Sequence, residues 1–212
     1  MNPITDSIQV NTHSSVRLQG AGKVVYIDPF RLEETPHDAD VIFVTHAHFD
    51  HFSPEDIAKV GKADTVFVMP AGMEQTAAPA VAGRKLVPVV PGQRGSVEGL
   101  EFETVPAYNL KKRFHPKEEG WVGYVLTLEG CRVYIAGDTD ATPEAAAVRC
   151  DAALLPIGGK YTMDARDAAD LANRMKPGLV IPIHYGSVAG SPKDYERFVK
   201  VLDREIQVRR LI

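Results

Sequence analysis

One heptapeptide constrains this chain more than any bulk property. Thr45-His46-Ala47-His48-Phe49-Asp50-His51 follows directly on the apolar run Val41-Ile42-Phe43-Val44. That run is short, β-branched and aromatic, which predicts a buried strand. The heptapeptide then sits on the loop at the strand's carboxyl end, where rigid scaffolds hold reactive groups. Four candidate metal ligands, His46, His48, Asp50 and His51, fall within six residues, and three of the chain's seven histidines are among them. Imidazole and carboxylate donors together suit zinc, manganese or iron.

The rest of the chain reads as strand hairpins first and alternating helix and strand second. Ser15–Gln19 and Lys23–Asp28 flank a Gly-Ala-Gly turn, the signature of a hairpin. Ser53-Pro54-Glu55-Asp56 has the cap, proline and acidic first turn of a helix reaching Val60. Strands are predicted at Thr65–Met69, Lys85–Val90, Leu100–Val105, Val122–Leu128 and Arg132–Ile135, with Pro88 marking an edge or a bulge. Ala71–Ala82 and Pro143–Arg149 predict short helices. After Ala152–Ile157, small and apolar residues recur at helical spacing from Ala165 to Met175, and Pro177-Gly178 stops them. Leu179–Ile183, a helix after Ser191-Pro192 and a strand over Gln207–Ile212 complete the pattern. The expectation is an α/β protein of two sheets with helices outside them, forming a single domain over 1–212.

Composition excludes some function classes. A formal charge of −4 argues against a dedicated nucleic-acid-binding face. No apolar stretch approaches the roughly 20 residues that span a bilayer, and the first residues do not form a secretory signal. Cys131 and Cys150 lack metal-site spacing and read as thiols of a cytoplasmic protein. The oligomeric state stays open, with a homo-oligomer allowed.

Two further features share the position of the heptapeptide. Asp138 follows the strand ending at Ile135, and His184 follows Ile181-Pro182-Ile183. Gly137 and Gly186 flank them and let backbone approach a site closely. Strand ends line the functional crevice of α/β sheets, so these residues can converge with the heptapeptide. A carboxylate placed to bridge two cations, with His and Asp on either side, is what a two-metal hydrolytic site requires.

Thr-His-Ala-His-Phe-Asp-His, Gly-Asp-Thr and Pro-Ile-His-Tyr-Gly, in this order, resemble the metallo-β-lactamase fold superfamily. The chain is most similar to its small metal-dependent hydrolases related to L-ascorbate-6-phosphate lactonase. The resemblance implies a four-layer αββα sandwich of two mixed sheets with helices on the outer faces. It also implies that His46 and His48 hold a first metal, and Asp50 and His51 a second. Asp138 would bridge the two and His184 complete the second site. The implied cofactor is one or two divalent cations, zinc first, with Mn2+ or Fe2+ as alternatives.

One ligand of that pattern is missing. The superfamily usually supplies a third first-site histidine after the strand at Leu100–Val105, where this chain reads Pro106-Ala107-Tyr108-Asn109. Asn109 offers an amide oxygen, a weaker donor for such metals. His115, six residues on, is the other candidate, and a weak or water-completed site is a third. His13 is expected behind the ligands or at the surface. Asp28 is expected either to orient a ligand histidine or to cap a turn. Lys160 and Tyr161 lie where a substrate group can be held. The basic loop Lys111–Lys117 is either an attractor for an anionic small-molecule substrate or simply solvated.

The leading expectation is a hydrolase whose activated water attacks an ester, lactone or phosphodiester, with Asp50 orienting it. The alternatives are a mononuclear non-haem iron oxidoreductase acting on a thiol or persulfide, and a non-catalytic metal- or metabolite-binding member.

Overall fold

Alternation along the strands decides which layer each residue joins. Val41, Phe43, Val66 and Val68 point into one core, while Ile42, Val44, Phe67 and Met69 point into another. Both faces are buried, as parallel strands covered on both sides require. The computed structural model describes residues 3–212. After a short helix α1 (Pro3–Asp6), β1 (Gln9–Thr12), β2 (Ser15–Gly20) and β3 (Lys23–Ile27) pair antiparallel, and β3, β4 (Ala39–Phe43), β5 (Gly61–Pro70) and β6 (Leu86–Val89) pair parallel. Helices α2 (Pro54–Val60) and α3 (Glu74–Val81) cover the outer face of this sheet through Ile57, Val60, Ala77 and Val81.

The second sheet repeats the plan. β7 (Arg94–Val97), β8 (Leu100–Pro106), β9 (Val122–Leu128) and β10 (Cys131–Ile135) pair antiparallel, and β10, β11 (Ala152–Pro156), β12 (Leu179–Ile183) and β13 (Gln207–Val208) pair parallel. Tyr124, Leu126, Val133, Leu154 and Ile181 face the first sheet. Val125, Tyr134, Ala153, Leu155 and Val180 face α4 (Pro143–Ala147), α5 (Ala165–Met175) and α6 (Lys193–Val201). The architecture is the expected αββα sandwich. Ser53, Thr142 and Asp164 cap α2, α4 and α5 by accepting from backbone N–H groups, each worth ~1 kcal/mol.

The differences from the sequence reading are local. β7 was not expected, because Arg94-Gly95-Ser96-Val97 has almost no apolar content of its own. It forms because Gly95 lies against the ring of Phe102, which would stand 2.7 Å from an added Cβ. The predicted strand over Gln207–Ile212 shrinks to two residues. The helix before Pro177-Gly178 ends on Lys176, whose φ of 52° replaces the usual glycine. Pro88 does lie in an edge strand, since β6 closes the first sheet.

Tyr124 ties the two sheets at the level of the heptapeptide. Its ring meets Phe43 edge-on at 4.9 Å, and its hydroxyl donates to Val44 O at 2.8 Å. One residue away, Gly123 leaves room for the strand that leads to Asp138. An added Cβ there would stand 2.5 Å from Ala136 O and 2.7 Å from Ile135 O. Gly123→Ala is therefore expected to cost roughly 1–3 kcal/mol of stability in urea unfolding. An unchanged midpoint would show that this contact does not hold the strand.

Candidate metal centre

The heptapeptide leaves β4 and turns back at once. Val44 N–H donates to Val68 O at 2.9 Å, and His51 and Phe52 N–H both donate to His48 O, at 3.0 and 2.8 Å. Asp28, at the end of the neighbouring β3, organises the start of the turn. Its carboxylate accepts from Thr45 N–H at 2.8 Å, Thr45 Oγ–H at 2.7 Å and His51 Nδ1 at 2.7 Å. Because the Thr45 hydroxyl proton goes to Asp28, its oxygen is left to accept from His46 Nδ1, 2.9 Å away. Both imidazoles are thereby held with Nδ1 protonated and Nε2 turned to the cluster.

Two groups of side chains result. His46, His48, His115 and Asp138 form one, and His13, Asp50, His51 and His184 the other; within each group the candidate donor atoms lie within 4.8 Å of one another. Asp138 faces both. Its Oδ1 lies 3.2 Å from His51 Nε2, and its Oδ2 lies 3.1 Å from His184 Nε2, 3.2 Å from His115 Nε2 and 3.9 Å from His46 Nε2. Asp50 Oδ2 lies 3.2 Å from His13 Nε2 and 3.6 Å from His184 Nε2. The elements contributing these groups come from both sheets. The His13 carbonyl accepts from His184 N–H at 3.0 Å, which joins the β1–β2 turn to the end of β12.

Backbone conformation marks the same residues. His13, Asp28, His115 and His184 all have positive φ, between 48° and 57°. Each such non-glycine residue costs about 1–2 kcal/mol, and the surrounding hydrogen bonds hold it there.

The electrostatics suit cation binding. Burial pushes His13 down to about 4 and His46 well below the ordinary imidazole value, so both are neutral and can donate lone pairs at neutral pH. Burial opposes charge on His51 too, yet Asp138 and Asp28 more than offset it and hold His51 well above that value. Burial would raise Asp138 and Asp50, but neighbouring imidazoles hold both well below the usual carboxylate range. His51 Nε2, His115 Nε2, His184 Nε2 and Asp138 Oδ1 are buried without a hydrogen-bond partner, although each lies near another polar atom. Buried polar atoms are seldom left unpaired. Orphans converging from several directions, on imidazole and carboxylate, fit a divalent cation such as zinc, manganese or iron.

The structure rearranges several expectations. His13, expected behind the ligands or at the surface, stands among the donors and is 1% exposed. His115, a candidate to complete the first site, is 2% exposed and faces Asp138. Asn109 does not direct its amide protons to the cluster; they go to the carbonyls of Phe114 and Tyr161. Tyr161 packs its ring on Phe114 at 4.9 Å, and Lys160 lies over the Tyr161 ring at 4.8 Å. Trp121 packs against His46 and His48, at 4.9 and 4.8 Å between centroids. Within the basic loop, Lys112 pairs with Asp140 and Lys117 with Glu144. His37 lies apart from the cluster, bonded to Gly61 O. Cys131 and Cys150 are free thiols. Among the described residues, no helix is long and apolar enough to cross a membrane.

Comparison with known proteins follows the same residues. Residues 7–184 match the family model described as Beta-lactamase superfamily domain. The chain belongs to this superfamily. Its superfamily relatives include a UPF0173 metal-dependent hydrolase of Methanosphaera stadtmanae, 34% identical over 92% of this chain and 90% of the relative. Another, from Methanoculleus marisnigri, is 32% identical over 93% and 88%. A solved structure from Parabacteroides distasonis superposes with a TM-score of 0.81 at 31% identity, covering 96% of this chain and 91% of that one. The metallo hydrolase Igni18 of Ignicoccus hospitalis, at 23% identity and a TM-score of 0.73 over 96% and 93%, shares the superfamily fold.

Proposed function

We propose that this chain is a metal-dependent hydrolase in which His46, His48, His115 and Asp138 hold one divalent cation and His13, Asp50, His51 and His184 a second. The carrying observation is the convergence of unpartnered, buried imidazole and carboxylate atoms from both sheets on Asp138. The curated relatives bear the name metal-dependent hydrolase, which supports the reaction class. When bound, the cations supply Lewis acidity and make a water more acidic.

The protein's own contribution is positioning. Asp138 turns Oδ1 to His51, and its Oδ2 faces both His184 of the same group and His46 and His115 of the other. Asp50 lies between His13 and His184 and is held as a carboxylate far below its ordinary range. A carboxylate that acidic is a weak base, so Asp50 accepts a hydrogen bond and orients the attacking water rather than keeping its proton. Trp121 shields His46 and His48 from solvent on one side. No serine or cysteine nucleophile is needed, and both cysteines lie outside the cluster.

The bond attacked is an ester, lactone or phosphodiester, and the substrate carries an anionic group. Lys112 and Lys117 are neutralised by acids, whereas Arg113 and Lys160 lie only over aromatic rings among the described residues. Together with Lys111, which is exposed and has no acidic partner among the described residues, those two are the cations of these loops available to an incoming carboxylate or phosphate. Zinc is the first candidate metal, and the protein acts as a soluble cytoplasmic enzyme.

The test is removal and return of metal. Stripping the protein with a chelator should abolish hydrolysis of a panel of lactones, aryl esters and bis(p-nitrophenyl) phosphate, and adding Zn2+, Mn2+ or Fe2+ should restore it with about two ions per chain. One bound iron with oxygen uptake would point instead to the oxidoreductase alternative. Hydrolysis undiminished by stripping would sink the proposal.

A further inference from the structure

We infer that Asn109 is a positioning residue: it clamps the 109–116 loop so that His115 enters the cluster. The inference rests on the two-cation reading above. The loop from Leu110 to Pro116 has no helix or strand to hold it, yet His115 is buried with a φ of 57°. Asn109 supplies the restraint three times. Its backbone N–H donates to His115 O at 2.9 Å, which closes the loop on itself. One side-chain N–H donates to Phe114 O at 2.8 Å, fixing the peptide that leads into His115. The other donates to Tyr161 O at 2.7 Å, fastening the loop to the segment after β11.

Only a primary amide of this length performs the last two tasks. Both N–H groups leave one nitrogen and reach two carbonyls from different loops. A histidine side chain at this position has no such pair, and a carboxylate has no N–H at all. The same amide nitrogen lies 3.3 Å from His115 Nδ1, so the imidazole backs onto it while Nε2 faces Asp138 at 3.2 Å. Both amide protons are taken by carbonyls. The contact with Nδ1 is therefore one of packing, and it backs the imidazole so that Nε2 faces Asp138. Asn109 is 7% exposed, and its neighbour Leu110 N–H is fixed to Asp140 at 2.9 Å, so the clamp has a rigid base. Without it, the carbonyls of Phe114 and Tyr161 lose their donors and the left-handed turn at His115 loses its support.

Co2+ titration of the metal-stripped protein, followed by visible absorption, tests this without any substrate. The unsubstituted chain should bind about two ions. Asn109→Ala should weaken one of them by about ten-fold or more and leave the other unchanged. His115→Ala should weaken the same ion at least as much. If Asn109 acts through His115, Asn109→Ala/His115→Ala binds no more weakly than His115→Ala alone. A merely structural role would give losses that add. Should Asn109→Ala fail to fold by circular dichroism, Asn109→Ser decides, with weakened binding expected. Wild-type affinity in the folded single variant, or additive losses in the double, overturns the inference. Fewer than two ions bound by the unsubstituted chain would overturn the two-cation reading itself, and this inference with it.

Discussion

Asp138→Ala should lose both cations and lower hydrolysis by at least about 10³-fold. The expectation follows from geometry. Asp138 is 4% exposed, and its two oxygens lie between 3.1 and 3.9 Å from the Nε2 atoms of His46, His51, His115 and His184. No other carboxylate in the cluster reaches both groups. Asp50 approaches only His13, His51 and His184. In the metal-stripped protein the same substitution removes the carboxylate that helps hold the buried His51 and His184 charged. Breaking a buried ionic contact costs about 3–5 kcal/mol, so the stripped variant should also unfold at lower temperature than stripped wild type. Metal content by mass spectrometry and thermal melts of both forms check the two halves separately. A variant that still binds two ions with unchanged affinity would remove Asp138 from the centre of the site.

How much of this was legible beforehand depends on how local each restraint is. His46, His48, Asp50 and His51 could be read because a strand signal and a turn lie next to each other in sequence. Asp138 and His184 were legible because each follows a strong strand, and parallel strands put their carboxyl ends on one rim. His115 was legible only as one of three alternatives, because residues 110–116 have no periodicity and the loop is fastened through the amide of Asn109 to Tyr161. The resemblance led to a histidine at position 109; the chain has there an asparagine bonded to Phe114 O and Tyr161 O, with a buried histidine six residues later. His13 was underestimated for a similar reason. Its place depends on a backbone bond to His184, 171 positions away, and on a left-handed turn that histidine tolerates. The missed β7 shows the same principle in the fold, since its strand character comes from Phe102 rather than from its own residues.

Asp28→Asn should weaken binding at both cation positions by about 10–100-fold while leaving the fold in place. Asp28 donates nothing to the cluster, yet it controls the protonation of a histidine in each group. It accepts directly from His51 Nδ1, and through the Thr45 hydroxyl it leaves that oxygen to accept from His46 Nδ1. A carboxylate can only accept, so Nδ1 carries a proton on both rings and Nε2 is the atom left for a cation. Asparagine has nearly the same shape but presents an amide NH2 on one side. If its oxygen keeps the Thr45 N–H, the NH2 faces His51 Nδ1 and Thr45 Oγ1. His51 is then driven to the other tautomer, with its proton on Nε2, the atom that faces Asp138. Thr45 Oγ1 becomes an acceptor toward the amide, which weakens the restraint on His46 as well. Asp28→Ala separates this effect from packing. It leaves Thr45 N–H and His51 Nδ1 unpaired in a site that is 1% exposed, with alanine forced to a φ of 48°, so it should cost stability by several kcal/mol as well as metal. Asp28→Asn should lose metal without a comparable loss of stability. Equal metal affinity in Asp28→Asn and wild type would mean that the tautomers of His46 and His51 are set by the cations alone.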